Sequence, residues 1–120
     1  MKIIKVNHLP RNVFAIDIYN VFFVSKTAWE HYEIHNPEFL KETVRHESIH
    51  TAQMKDFCRF IPIGGTLFYL VYLVEWGIRL CQNKFDSYRA YRAISFEREA
   101  YDNDHIINYL AMRKRFAQWR

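Results

Sequence analysis

The segment that begins at Asn36 constrains the fold more than any other part of the chain, because it carries every local signal of a long helix. Asn36 is a favourable N-cap, Pro37 suits the first helical position, and Glu38 places an acid in the first turn. Apolar residues recur along the segment, so packing can hold it rigid. The sequence therefore predicts a helix over about 37–57.

Near the middle of this helix, His46 and His50 are four positions apart, and Glu47 directly follows the first. At about 100° per residue, the second imidazole lies within roughly 40° of the first, one turn further on. Two imidazoles on one face can share a metal ion, and Glu47 can take a proton from a water bound to that ion. This His-Glu-x-x-His spacing predicts one zinc ion per chain, with Glu47 as general base.

A zinc site that keeps one position open for water needs three protein ligands, so a third must come from elsewhere in the chain. A later predicted helix offers Glu97 and Glu99, which point about 200° apart, so only one can face the histidines. Glu97 shares its face with the small Ala100, which permits close helix approach, and with polar residues. We expect Glu97 to be the third ligand, with Glu99 as the alternative.

Together with the His-Glu-x-x-His helix, this downstream segment resembles the gluzincins, zinc metallopeptidases whose third ligand is a Glu on a following helix. Residues 96–101 are similar to the Glu-x-x-Ala-Asp pattern of the CAAX-prenyl endopeptidase and heat-shock membrane protease group. The match supports Glu97 as ligand, and Ala100 aligns with the Ala of the pattern. Tyr101 stands where that group has the Asp that steadies the first His. Asp102 and Asp104 are therefore the substitutes.

The length and the early strands also resemble the very small single-domain bacterial gluzincins, sometimes called minigluzincins. This resemblance implies a zincin-like α+β fold and an endopeptidase that takes a peptide or protein substrate. It implies that an extended substrate pairs with a strand before the zinc helix, either Val21–Ser25 or its hairpin partner. An oxyanion donor is also needed, usually a Tyr or His, for which Tyr101, Tyr109 and His105 are candidates.

The 120 residues, half of them hydrophobic, predict one α+β domain with a small sheet followed by helices. Asn20 favours a hairpin turn near Ile18–Asn20, with one bent strand as the alternative. Ser25–His35 has the composition of a polar connection. The predicted boundaries are strands within about 2–25, a turn at Pro10, Arg11 and Asn12, the zinc helix at 37–57, an apolar helix at about 66–82, a short basic helix at 86–93 and a final helix at about 96–116.

The apolar segment has no charge from Phe60 to Val74, but Pro62 and two glycines interrupt it, which makes it too short to span a bilayer as a straight helix. We expect residues 66–80 to form a buried core helix. The alternative is a helix that rests in a membrane interface, which its Tyr and Trp residues would suit.

The net charge of +4 lies entirely in the last ten residues, which hold four basic residues and no acid. We expect this basic tail to be a solvated helix end, and it could also touch anionic lipid. No nucleic-acid motif accompanies the charge, so no nucleic-acid partner is expected. The start of the chain lacks a signal-peptide pattern, which predicts a cytoplasmic protein, free or peripheral at the membrane.

The remaining histidines and cysteines suggest no second site. His8, His31 and His35 are expected at the surface, and Cys58 and Cys81 as two buried thiols. A chain this short can also lack the wall on the far side of a peptidase cleft. The alternative function is therefore a catalytically silent zinc-binding interaction module, and the intact general base argues against it.

Overall fold

The computed structural model describes residues 2–10 and 13–120, and the turn predicted at Arg11 and Asn12 lies outside the described residues. The described residues form a small sheet followed by helices, which confirms the predicted α+β class. The elements are β1 (Lys2–Val6), β2 (Ala15–Ile18), β3 (Val21–Ser25), α1 (Lys26–His35), α2 (Pro37–Phe57), α3 (Ile61–Gln82), α4 (Ser87–Ala93), α5 (Ser95–Asn103), α6 (Tyr109–Met112) and a 3-10 turn (Ala117–Trp119).

The sheet has the strand order β1-β3-β2, with β3 antiparallel to β2 and parallel to β1. Tyr19 and Asn20 connect β2 to β3, and both have positive φ (47° and 69°), as the tight turns of hairpins require. This confirms the predicted hairpin and its turn. The central strand buries Phe22 and Val24 against the helices. β2 is left at an edge of the sheet.

The prediction of a polar connection over Ser25–His35 is wrong, because Lys26–His35 forms the helix α1. Ser25 caps this helix, its hydroxyl accepting a hydrogen bond from the backbone nitrogen of Ala28 at 3.3 Å. The ring of Tyr32 packs on Phe39 with 4.6 Å between ring centroids, which fixes α1 against α2. A serine at this position is a typical N-cap, so the sequence contains a signal for the start of α1.

The boundaries predicted for α2 are confirmed, and this helix lies at the centre of the molecule, in contact with α1, α3 and α5. Asn36 caps it as expected, its side-chain oxygen accepting from the backbone nitrogen of Phe39 at 3.3 Å. Ile49, Gln53 and Met54 are fully buried. The middle of α2 is therefore held from several sides, which fixes the direction of its side chains.

α3 begins five residues earlier than predicted and runs through the proline and the glycines that were expected to interrupt it. Pro62 lies in the first turn, where its missing N–H is not needed. A methyl group on Gly64 would overlap the backbone oxygens of Met54 and Cys58, so this glycine allows α3 to approach the end of α2 closely. The prediction that Pro62 and the glycines interrupt the helix is therefore wrong. Pro62 lies in its first turn, and Gly64 lets it pack against α2.

Only the inner face of α3 is buried, so the prediction of a buried core helix is wrong for its outer face. Phe68 packs in the core with Met54, Ile94 and Phe96. By length and composition, α3 is long and apolar enough to cross a membrane. The sequence analysis had predicted a segment too short to do so. In its most apolar stretch of 18 residues, 17% of the residues are buried.

The final helix was predicted to run to residue 116, but α5 ends at Asn103. The Asn103 side chain donates to the backbone oxygen of Glu99 at 2.7 Å and helps to close the helix end. The chain then folds back, because Arg113 inserts between the carboxylates of Asp56 and Glu99 with 5% of its side chain exposed. The prediction of a solvated basic tail is therefore wrong at this residue.

His8, His31 and His35 are exposed, as predicted. Cys58 is half-buried and Cys81 is exposed, and both are free thiols. The prediction of two buried thiols is therefore wrong for Cys81, because the residue lies near the end of α3, beyond the part of that helix that packs in the core.

Candidate metal centre

Three buried side chains from two helices converge in the structure: α2 presents His46 and His50, and α5 presents Glu97. The two Nε2 atoms lie 3.2 Å apart. The carboxylate oxygens of Glu97 lie 3.2 Å from Nε2 of His46 and 3.3 Å from Nε2 of His50. One ligand atom from each residue lies within 4.8 Å of the others. These three atoms can hold one ion.

The geometry of α5 separates the two acids that the sequence left as alternatives. Glu97 faces α2, and Ala100 beside it is fully buried, which permits the close approach of the two helices. Glu99 points to the other side, where it accepts hydrogen bonds from Arg113 at 2.6 Å and from Tyr109 at 2.9 Å. Glu99 therefore takes part in an ion-pair network, and Glu97 joins the histidines.

The sequence named Tyr101, Asp102, Asp104 and His105 as possible partners of the ligands, and the structure brings two of them to His46. Oδ2 of Asp104 lies 3.2 Å from Nδ1 of His46, and the Tyr101 ring packs on the same imidazole with 4.4 Å between centroids. Asp102 is exposed, and the His105 side chain is 63% exposed. Asp104 therefore orients His46 by a hydrogen bond, and Tyr101 supports the ring by packing.

Gln53 holds the second histidine, with its side-chain oxygen 2.8 Å from Nδ1 of His50. Its amide nitrogen donates to the backbone oxygen of Phe96 at 2.9 Å and to the carboxylate of Glu99 at 3.1 Å. Because both acceptors require the nitrogen, the oxygen must face the histidine, and Nδ1 of His50 carries the proton. The lone pair on Nε2 of His50 then points towards Glu97.

The same reasoning applies to His46, whose Nδ1 donates to a carboxylate, so its Nε2 also presents a lone pair. Two lone pairs and a carboxylate meet in a buried space, where they repel one another unless a cation lies between them. Burial alone would lower the pKa of His50, but the Glu97 carboxylate outweighs burial and raises it to about 9. Burial alone would raise the pKa of Glu97, but His50 and His46 outweigh it and hold this pKa far below its usual range. The centre is therefore arranged to bind a positive charge, either a proton or a metal ion.

Two imidazoles and one carboxylate are a donor set that zinc uses in catalytic sites. In both imidazoles Nδ1, the nitrogen that faces away from the centre, is hydrogen-bonded, as it almost always is in metal-ligating histidines. Glu97 is held as well, because the hydroxyl of Tyr72 donates to its Oε1 at 2.8 Å. The donor set, its orientation and its burial all fit zinc.

The three residues line a cleft of about 270 Å³, together with side chains from β2, α3 and α4. Glu47 faces this cleft and is half-buried. The other lining residues are Asp17, Met54, Phe68, Tyr69, Tyr72 and Tyr91. A ligand of moderate size can therefore reach the acceptor atoms and Glu47 together.

Asp17 is a cleft residue that the sequence analysis missed. It lies on the edge strand β2, and burial together with the negative charge of the neighbouring Glu47 raises its pKa to about 7. Among the described residues, its Oδ1 is buried with no hydrogen-bond partner. The available signal was the alternation of Ile16 and Ile18, which places an acid on the other face of an apolar strand.

The candidates for an oxyanion donor also change. Tyr109 bonds to Glu99 outside the cleft, and the hydroxyls of Tyr101 and Tyr91 lie 3.1 Å apart. Tyr91 lines the cleft, as does Tyr69, whose hydroxyl accepts the backbone N–H of Tyr19 at 3.0 Å and keeps its own hydrogen to donate.

Burial raises the pKa of both Tyr69 and Tyr91, so both hydroxyls stay protonated at neutral pH. The sequence did not single out these tyrosines, because they lie on α3 and α4, far along the chain from the His-Glu-x-x-His motif.

Comparison of the chain with protein-family models, with curated proteins and with solved structures finds no match. The case for a metal centre therefore rests on the donor atoms and hydrogen bonds of the chain itself.

Proposed function

We propose that the protein is a gluzincin-like zinc metallopeptidase that binds one zinc ion through His46, His50 and Glu97 and hydrolyses peptide bonds. The observation that carries the proposal is the meeting of three acceptor groups in a buried site with an unliganded carboxylate, Glu47, beside it. A structural zinc site would be closed by a fourth protein ligand, and the described cluster contains three. The open position and the adjacent carboxylate favour hydrolysis.

Glu47 is the proposed general base. Zinc would supply Lewis-acid chemistry at this site, activating a water and polarising a carbonyl. The Glu47 carboxylate takes the proton of the attacking water and delivers it to the nitrogen of the departing amine. Asp17 lines the same cleft as Glu47, and this neighbouring carboxylate contributes to the raised pKa of Asp17, so the two acids lie close together.

Tyr69 and Tyr91 are the proposed oxyanion donors. Both residues line the cleft and their hydroxyls stay protonated, so we propose that either can donate to the oxygen that becomes negative during hydrolysis. Tyr72 has a different role, because its hydroxyl is bonded to Glu97 and orients that proposed ligand.

The edge strand β2 is the proposed binding surface for an extended peptide. β3 is paired on both sides, which leaves β2, its hairpin partner, with a row of backbone groups available. Asp17 connects this strand to the cleft. A substrate paired with β2 would therefore run past Glu47. We propose a peptide or protein substrate, and a protein that works in the cytoplasm or at a membrane surface.

Metal content tests the centre. Elemental analysis of protein purified without a metal-affinity tag should give about one zinc per chain. His50→Ala and Glu97→Ala should lose it, and His35→Ala, which changes an exposed histidine, should keep it. No zinc in the wild type after zinc is added back would end the proposal.

Hydrolysis tests the chemistry separately. The zinc-loaded protein should cleave casein or a quenched peptide library, and Glu47→Gln should keep its zinc but lose cleavage by about 100-fold or more. Zinc binding without any cleavage would instead indicate the silent interaction module. Cleavage that is equal in Glu47→Gln would indicate a contaminating peptidase.

A further inference from the structure

The outer face of α3 carries a continuous apolar stripe that no other part of the described chain covers. Its residues follow one another at helical spacing and are between 41% and 65% exposed. We call them the outer stripe: Ile63, Leu67, Leu70, Leu73, Val74 and Ile78. Single exposed apolar residues are common on proteins, but a contiguous row over four turns marks an interaction surface.

No charge interrupts the outer stripe, because the two charged residues of α3 are turned inwards and paired. Glu75 accepts hydrogen bonds from the backbone nitrogen and hydroxyl of Ser95, at 2.7 and 2.6 Å. Arg79 pairs with Glu75 at 3.5 Å. A face that only water touches would have charges interspersed along it. The two charged groups of α3 instead bond within the protein, and the outer stripe itself is left apolar.

Both ends of the outer stripe carry an exposed aromatic residue beside an exposed cation. Phe60 is 63% exposed and follows Arg59 before the helix, and Phe85 is 74% exposed and follows Lys84 after it. Arg89 at the second end is also exposed, but it pairs with the Asp86 carboxylate at 3.7 Å and so adds no free charge. An apolar row flanked by aromatic rings and cations matches a bilayer surface, where acyl chains lie below anionic headgroups.

We propose that the outer stripe docks the protein onto an anionic lipid bilayer, with α3 lying along the membrane surface. The helix lies flat in this arrangement because its inner face packs on α2 and α4 and holds the Glu75 pair, which a crossing helix would carry into the hydrocarbon. Arg113 of the basic tail is buried in its ion pairs, so it does not contribute to the docking surface.

Charge favours a lipid surface over a second copy of this chain. If two copies packed antiparallel through the outer stripe, Arg59 of each would lie near Lys84 of the other. If they packed parallel, like ends would meet, and cations would again face cations. An anionic bilayer neutralises both ends at once, and each cation near such a surface strengthens binding.

The docking surface and the cleft are two faces of one helix, because Phe68, Tyr69 and Tyr72 of α3 line the cleft. A docked molecule therefore holds its cleft close to the headgroups. The substrate class that follows is a protein segment lying at the membrane surface, such as an extended juxtamembrane stretch. This part of the inference rests on the proposed peptidase function, whereas docking itself does not.

Vesicle flotation tests docking with both metal-stripped and zinc-loaded protein. We expect the protein to float with vesicles of phosphatidylcholine and phosphatidylglycerol, and less with phosphatidylcholine alone. The double variant Leu70→Glu/Val74→Glu should bind about ten-fold more weakly or worse. Ile107→Glu is the matched control, because Ile107 is 81% exposed and lies outside α3, and it should bind like the wild type.

Protein that stays below the vesicles, or a double variant that floats as well as the wild type, would overturn the proposal. So would a dimer in light scattering that the double variant abolishes, since the stripe would then serve a second copy. Flotation requires no zinc, so its failure with zinc binding and cleavage intact removes docking alone. Flotation without zinc binding removes the peptidase alone.

Discussion

Oε1 of Gln53 lies 2.8 Å from Nδ1 of His50, and this contact decides which nitrogen of the imidazole faces Glu97. Gln53→Met keeps the volume and loses the hydrogen bond, so His50 can rotate or change tautomer. Zinc affinity should fall by about 10- to 100-fold. Competition with a chromophoric chelator measures it, and Gln82→Met, at an exposed position, is the control. Unchanged affinity in Gln53→Met would show that packing alone orients His50.

Asp104 and Asp102 form a matched pair of acids near the end of α5. Asp104 lies 3.2 Å from the ring of His46, and Asp102 is exposed. Asp104→Asn should weaken zinc binding by about ten-fold, because a neutral amide is a poorer acceptor for the imidazole N–H. Asp102→Asn should leave the affinity at the wild-type value. Equal losses in both variants would point to a general charge effect and would remove Asp104 from its proposed role.

Arg113 neutralises two buried carboxylates, so its loss should destabilise the whole molecule. Its guanidinium lies 2.7 Å from Asp56 and 2.6 Å from Glu99. Arg113→Met leaves both acids buried without a cation, which should lower the free energy of unfolding by about 3–5 kcal/mol. Lys114→Met changes an exposed neighbour and should cost less than about 0.5 kcal/mol. Urea denaturation measures both, and similar values would contradict the buried network.

The raised pKa of His50 predicts how the stability of metal-stripped protein depends on pH. The pKa is about 9 in the folded protein and 6.5 for an ordinary histidine, so folding favours the protonated form. This stabilisation is complete below pH 6.5 and is lost as the pH rises towards 9.

The free energy of unfolding, measured by urea denaturation, should therefore be lower at pH 9 than at pH 6 by roughly 3 kcal/mol at most. The difference should be smaller in His50→Gln. The lowered pKa of Glu97 acts at the other end of the scale. Its contribution is present above the ordinary value of 4.5 and is lost as the pH falls below that value. A flat profile in the wild type between pH 6 and pH 9 would mean that no proton is held at the centre.

Asp17 titrates in the opposite sense to Glu97, because the pKa of Asp17 is raised from 3.8 to about 7. Its ionisation in the folded protein is disfavoured, so stability should decrease as the pH rises from 3.8 to 7. Asp17→Asn mimics the protonated acid at every pH. It should melt at a higher temperature than the wild type at pH 8 and at a similar temperature at pH 5, without loss of zinc.

In the cleavage assay, the pH dependence of the wild type should differ from that of Asp17→Asn, because the variant cannot ionise beside Glu47. Asp102→Asn is the control in both experiments. If Asp17→Asn melts like the wild type at pH 8, burial and Glu47 do not disfavour the ionisation of Asp17 in the folded protein.

Local chemistry was sufficient to predict α2, because the cap at Asn36 and the proline after it fix where the helix starts. It was also sufficient to bring His46 and His50 to one face and to favour Glu97, since these inferences depend only on helical periodicity. The boundaries of α1 were open to the same reasoning through the Ser25 cap, which was overlooked.

The rest depends on contacts between distant parts of the chain. Asp17 meets Glu47 only because of strand pairing and the packing of the sheet on α2, and Arg113 reaches Asp56 across 57 positions. One helix was predicted over about 96–116, but α5 ends at Asn103 and Arg113 pairs with Asp56 and Glu99. No periodic pattern marks such long-range pairings in one sequence.

The network that holds His50 has a consequence for how the protein is made. Gln53 is oriented by Glu99, and Glu99 is neutralised by Arg113, which is synthesised after all three proposed ligands. A chain still emerging from the ribosome would carry both histidines without the arginine that fixes their surroundings. We therefore expect the nascent chain to bind metal weakly and to gain its affinity only once the segment around residue 113 has been added.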